Sequence, residues 1–179
     1  ENTYPYGMPC VETKEQLQRL EEQLAEHNIL LLFRPHPVQD LSVFHKEELP
    51  HIRIADDVFL ASMECTLYEL LAQTDALITD YSSVYFDYLL TDRPIALTIA
   101  DREEYFTRFT LAFPDYKEAV KGFYIETFSQ LSSFLAEIAE GVDSAREERM
   151  SAKEKYHTKD AGNSAKAIVD LLEKEYRLK

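Results

Sequence analysis

A chain of 179 residues is one domain's worth of sequence and long enough to bury a real core. A hydrophobic share of 45%, with 11 Tyr and 10 Phe, excludes a disordered chain, and only four Gly exclude a loop-dominated or solenoid design. A formal net charge of -14, from 33 acidic and 19 basic residues, excludes long-range attraction to nucleic acid or anionic lipid, so any anionic ligand must be met by a local site.

The chain opens on Glu1-Asn2-Thr3-Tyr4, without an initiator Met or signal-peptide character, and reads as a cut into a longer chain. Residues 13 to 27 predict a helix: Thr13 stands at the cap, and Leu17, Leu20 and Leu24 recur at helical spacing. Ile29 to Phe33 is the longest apolar run. It is far short of the ~20 residues that span a bilayer, and predicts a strand buried on both faces. Arg34-Pro35-His36-Pro37 then stops the ladder. A short strand is expected at 51 to 54. The pair Asp56-Asp57 reads as a surface turn. A short helix follows at 66 to 73, with Thr66 as cap and Glu69 in register for a capping box.

Residues 75 to 79 predict a second buried strand, and 82 to 91 a helix with Val84, Tyr85, Tyr88 and Leu89 on one face. Residues 95 to 99 predict a third strong strand. Three helices are expected over 127 to 139, 143 to 156 and 163 to 177, with Asp143 and Asn163 as caps and Gly141 and Gly162 at the breaks. Strands and helices that alternate through short connections imply an α/β fold, a Rossmann-like parallel sheet flanked by helices. Residues 1–179 form one such domain, and the final helices, 143–177, pack over the sheet or toward a neighbouring domain.

Cys10 and Cys65 form no CxxC pair, so no zinc or redox motif is indicated, and a reducing, cytoplasmic compartment fits. His27, His36, His45, His51 and His157 show no pairing at metal-ligand spacing, so no metal is expected. Neither a Walker A sequence nor GxGxxG occurs.

In open parallel sheets, ligands sit beyond the carboxyl ends of the strands. Two strings lie there. Arg34-Pro35-His36-Pro37 follows the first strand, and on an extended segment Arg34 and His36 project to one side. A guanidinium forks onto phosphate oxygens, and an imidazole donates a hydrogen bond or a proton to a leaving phosphate. A turn with two solvated polar residues accounts for the same pattern. Thr79-Asp80-Tyr81-Ser82-Ser83 follows the second strand and opens a helix. There, unpaired amides, the helix dipole and two hydroxyls make a phosphate cradle, or else Ser82 simply caps the helix.

Glu69 either accepts from a ribose hydroxyl or caps Thr66. Asp87, four residues after Ser83, either orients Ser83 or Arg34 or is a first-turn acid. Asp101 to Arg108 reaches the same edge, where Tyr105 and Arg108 share a helical face and touch the ligand or only solvent. His157, Asp160, Gly162, Asn163 and Ser164 form a polar knot between the last two helices.

Several of these strings together resemble the CDP-glycerol glycerophosphotransferases, the teichoic-acid primases and polymerases. They are Arg34-Pro35-His36-Pro37, Glu69-Leu70-Leu71 with Asp75, Leu77 to Tyr88 and Arg93-Pro94. Asp101 with Tyr105 and Arg108 is similar to that family's acidic-Tyr-Arg segment, and Tyr156-His157 to Ser164 to its C-terminal signature. The resemblance runs from about residue 29 to the end.

The resemblance implies a GT-B architecture, of which this chain is the C-terminal, donor-binding half. Arg34, His36, Ser82 and Ser83 would hold the donor's phosphates, with Arg34 and His36 stabilising the leaving phosphate. Glu69 would sit near the ribose, and Asp80, Asp87, Tyr105 and Arg108 would lie behind them. It implies a donor of CDP-glycerol, a polymer or lipid-linked acceptor, release of CMP, and neither metal nor cofactor. It also implies a place at the inner face of the membrane without contact through this domain.

The family's Trp-His-Gly-Thr-Pro segment, whose His is the expected general base, belongs to the N-terminal half. No Trp occurs here, so the isolated chain is expected to be inactive. Arg108-Phe109 stands where the family has Arg-Gly, and Thr66 where it has an acidic residue. A GT-B glycosyltransferase using a nucleotide sugar, or a non-catalytic nucleotide-binding module, is the alternative.

Overall fold

The computed structural model describes residues 4–35, 44, 48–102, 105, 107, 115–157 and 161–176. Helix α1, Lys14–Glu26, begins where expected. The Thr13 side chain accepts from the Gln16 amide, and the Gln16 side chain returns the bond to Thr13. Leu17, Leu20 and Leu24 are buried along one stripe.

Strand β1 is Leu31–Phe33, and β2, Ile52–Ile54, lies parallel to it with Leu32 opposite Arg53. Helix α2, Asp57–Ser62, and helix α3, Leu67–Leu71, follow. Strand β3 is Leu77–Thr79, and helix α4, Val84–Tyr88, runs on into a 3-10 turn, Leu89–Thr91. Strand β4 is Ile95–Thr98. The remaining elements are α5 (Tyr116–Ala119), β5 (Phe123–Ile125), α6 (Phe128–Glu140), α7 (Arg146–Tyr156) and α8 (Ser164–Tyr176).

β3, β4 and β5 form a parallel sheet in that order, and β1 pairs with β2. β4 is the buried centre, with all four residues enclosed. Its alternation divides the core into two layers. Ala96 faces one cluster with Leu17, Leu20 and Leu24 of α1, Ile52 of β2, and Leu131, Phe134 and Leu135 of α6. Ile95 and Leu97 face the other, with Tyr85 and Tyr88 of α4, Tyr116 of α5 and Ala152 of α7. Ile78, Leu31 and Phe33 pack on the first cluster, so both strand groups share one core. This is the expected Rossmann-like α/β arrangement, with helices on both faces of parallel strands.

Five expectations need correction. The parallel strands form two hydrogen-bonded groups among the described residues and not one continuous ladder. β1 is half-buried and not enclosed on both faces. The 82–91 helix is a single α-turn that tightens into 3-10 and closes on Asp92 in the left-handed conformation. Asp56-Asp57 is no bare turn: Asp56 caps α2 by accepting from the Phe59 amide. Asp143 caps nothing, because its carboxylate is taken by Arg149, and α7 starts at Ala145 without a side-chain cap.

Candidate functional site

β1, β2, β3 and β4 are parallel within their groups, and the segments that leave their carboxyl ends carry the polar residues singled out above. The segment after β3 is a short structured turn. The Asp80 carboxylate accepts the Ser82 amide at 3.0 Å, and the Ser82 hydroxyl oxygen accepts the Val84 amide at 3.4 Å. The Ser82 and Ser83 carbonyls take the first helical bonds, from Tyr85 and Phe86. Ser82 therefore does act on the helix start. Ser83 stands at the cap position in helical conformation, and its hydroxyl caps nothing. Both serines are exposed.

Tyr81, between Asp80 and Ser82, turns inward. Its hydroxyl donates to Asp101 Oδ1 at 3.0 Å, and its ring stacks on Tyr105 with centroids 4.0 Å apart. Tyr116 meets the same ring edge-on at 5.1 Å and donates its hydroxyl to the Asp80 carbonyl at 3.1 Å. Burial first, then the neighbouring Asp101 charge and the hydrogen bond to it, push the Tyr81 and Tyr4 phenols well above the usual range. Tyr105 and Tyr116 shift the same way, through burial and then nearby carboxylates. These phenols are therefore proton donors throughout the physiological range.

Arg34 leaves the end of β1. Its guanidinium donates to the Ala55 carbonyl at 2.8 Å and to Asp57 Oδ1 at 2.7 Å. Asp57 is 89% exposed and the Arg34 side chain 38%, so this is a surface ion pair worth about 0–1 kcal/mol. A phosphate oxygen, at roughly 1.5–3 kcal/mol per charged hydrogen bond, competes well with it. No hydrogen bond joins Arg34 to Ser82 or Ser83; its partners are the residue after β2, Ala55, and the first residue of α2, Asp57. His36 and Arg108 lie outside the described residues.

Glu69 closes the capping box: Oε2 accepts from the Thr66 amide and hydroxyl, both at 2.8 Å. These two bonds, the backbone one foremost, hold its carboxyl below the usual range. Asp87 stands in the first turn of α4 and accepts from the Tyr68 hydroxyl at 3.3 Å, not from Ser83 or Arg34. His157 donates from Nε2 to the Phe86 carbonyl at 2.8 Å, which ties the end of α7 to the helix carrying Ser83. Tyr156 adds a bond to the Ala119 carbonyl at 2.9 Å.

The sequence reading left Tyr81, Tyr116 and Tyr4 without a role. Their only signal was the count of 11 tyrosines, which composition reports but does not place.

A cavity of about 470 Å³ lies elsewhere, along β2, lined by Phe44, Leu49, Ile52, Arg53 and neighbours. It includes none of the candidate residues, and the strand-end chemistry outweighs its size. Among the described residues, no group of three or more His, Cys, Asp or Glu is placed to hold a metal ion. Among them, too, no helix is long and apolar enough to cross a membrane.

The family model for CDP-Glycerol:Poly(glycerophosphate) glycerophosphotransferase matches residues 7–174. A teichoic acid ribitol-phosphate primase of Bacillus spizizenii is 26% identical over 160 residues, 87% of this chain and 37% of the primase. A teichoic acid glycerol-phosphate primase of the same organism is 37% identical over 89 residues, 48% of this chain and 21% of its own. The structure of the wall teichoic acid polymerase TagF superposes with a TM-score of 0.60 at 24% identity, over 91% of this chain and 38% of TagF. The chain thus spans well under half the length of these relatives.

Proposed function

This chain belongs to the CDP-glycerol:poly(glycerophosphate) glycerophosphotransferase family, and from that premise we propose that it is the donor-binding half of a polyol-phosphate transferase of surface-polymer synthesis. The observation that carries the reading is the match over residues 7–174, which includes the Asp80–Ser83 turn at the carboxyl end of β3. The donor is CDP-glycerol. The acceptor is a polymer or lipid-linked polyol phosphate.

An acceptor hydroxyl attacks the glycerol-bearing phosphorus, the bond to the bridging oxygen breaks, and CMP leaves with that oxygen. The attacking hydroxyl's proton goes to a base in the N-terminal half. The Ser82 and Ser83 hydroxyls donate to the diphosphate. Arg34 releases Asp57 and forks onto phosphate oxygens, and His36 gives the leaving phosphate a proton. Hydrogen-bond donors and positive charge stabilise the equatorial oxygens, without cofactor or metal. Glu69 lies toward the ribose while it keeps its cap.

α8 packs toward the N-terminal half. This is supported by its exposure: none of its residues is buried in the chain, and Ile168, Leu171 and Tyr176 are more than half exposed. The enzyme works at the inner face of the membrane, with contact made outside this domain.

CDP-glycerol, titrated into the protein, raises its thermal midpoint, and UDP-sugars do not. Arg34→Ala weakens CDP-glycerol binding roughly tenfold or more, from the strength of a charged hydrogen bond. A rise with UDP-sugars alone transfers the chain to the glycosyltransferases. A rise with no nucleotide removes the donor site. Release of a nucleoside diphosphate in place of CMP, by this chain joined to its N-terminal half, rules out phosphate transfer.

A further inference from the structure

The turn that presents Ser82 and Ser83 rests on a helix of only five residues. A helix that short is marginal by itself, so its start must be held from outside. Three residues from two later segments of the chain converge on Tyr81 and do so. From the turn beyond β4, Asp101 accepts the Tyr81 hydroxyl at 3.0 Å. From the residues beyond it, Tyr105 stacks on the ring at 4.0 Å. From α5, Tyr116, 6% exposed, packs edge-on and fixes the Asp80 carbonyl at 3.1 Å. Asp80, thus held, accepts the Ser82 amide. The backbone on both sides of Tyr81 is pinned while the two serines stay exposed.

A carboxylate beside a diphosphate site is costly unless its charge is occupied. Asp101 is occupied, because it takes the Tyr81 phenol at 3.0 Å. Its place in the molecule is explained by that phenol and not by a ligand.

We infer that Asp101 is a positioning residue for the donor diphosphate: acting through the Tyr81 hydroxyl, it fixes the turn that presents Ser82 and Ser83. This rests on the donor-site reading above. Asp101 and Tyr81 touch no ligand; they set the geometry in which Ser82 and Ser83 do. Only an acceptor atom is required at Asp101, not a negative charge.

The test is calorimetric titration of CDP-glycerol into the protein and its variants, each with a thermal midpoint. Tyr81→Phe keeps the ring stack and loses only the hydroxyl, so it folds. Tyr81→Phe and Asp101→Ala each weaken binding roughly tenfold, and the double variant is no weaker than the poorer single, because both cut one link. Asp101→Asn keeps a carbonyl acceptor and binds within about threefold of the parent. A purely structural bond would instead lower the midpoint and leave affinity unchanged; that result overturns the inference, as do losses that add in the double variant. Ser82→Ala with Ser83→Ala separates the two readings. If that pair weakens binding and Tyr81→Phe does not, the donor site stands and the Asp101 link falls. If the parent protein shows no saturable binding, both fall.

Discussion

Arg149 carries its charge into a site with no solvent exposure. Nη1 donates to Asp92 Oδ1 at 3.2 Å, Nη2 to the Asp92 carbonyl at 3.4 Å and to the Asp143 carboxylate, and Nε finds no partner among the described residues. Arg146 adds a second cation on Asp92 at 3.0 Å. Burial alone would raise the Asp92 carboxyl, but bonds from Arg149 and Arg146 and their charges outweigh it and leave the group below its usual range. The network locks α7 to the 3-10 turn behind α4. Arg149→Met keeps most of the volume, strands the Asp143 carboxylate and leaves Asp92 with Arg146 alone, so unfolding in urea should show a loss of about 3 kcal/mol; a loss under ~1 kcal/mol would show the pairs to be solvated. In the sequence, Arg146-Glu147-Glu148-Arg149 looks like any charged helix face, and Asp143 looks like a cap. Nothing local marks which arginine is enclosed.

Among the elements, periodicity did not reveal α2, α5 or β5, all of them short. Phe123–Ile125 is three residues, too short for a pattern, and it lies between a turn and the Thr127 cap. Its approach to β4 depends on Gly122, where an added Cβ would sit 2.6 Å from the Ile95 carbonyl oxygen. Gly122→Ala must push two backbones apart, at about 1–3 kcal/mol, and should lower the thermal midpoint by several degrees; an unchanged midpoint would mean that β5 shifts freely. The capping boxes at Thr13, Thr66 and Thr127 were legible or within reach, because each joins residues three apart. Glu69 shows the limit of that legibility. Its cap is real, and the cap says nothing of a ribose.

At the scale of the molecule, two features predict bulk behaviour. The tyrosines bind the layers together. Burial raises Tyr85 and Tyr124 to about 12, and it raises Tyr4, Tyr81, Tyr88, Tyr105 and Tyr116 as well. A phenol raised on folding contributes stability that is complete below its unfolded value of about 10 and is lost as pH rises through the folded value. Above pH ~10 the unfolded chain sheds protons first, so phenolate absorbance should rise together with loss of circular dichroism. Smooth ionisation near pH 10 with the fold intact would contradict this. The second feature is α8, which contributes no buried residue to this core. Ile168→Ser with Leu172→Ser should leave the midpoint of this chain within about a degree, as surface changes do. A large drop would mean that α8 packs on the domain after all.

The sequence by itself determined the α/β alternation, the helix starts and the Asp80–Ser83 string at a strand end, because these are recorded in residues one to four apart. Tertiary structure alone decided that Asp101 takes the Tyr81 phenol, that Tyr116 holds Asp80, and that Arg149 pairs with Asp92, across separations of 20, 36 and 57 residues. It also decided that Arg34 meets Asp57, 23 residues on. A polar side chain's partner is set by which strand ends the sheet brings side by side, and no short stretch of chain contains that information.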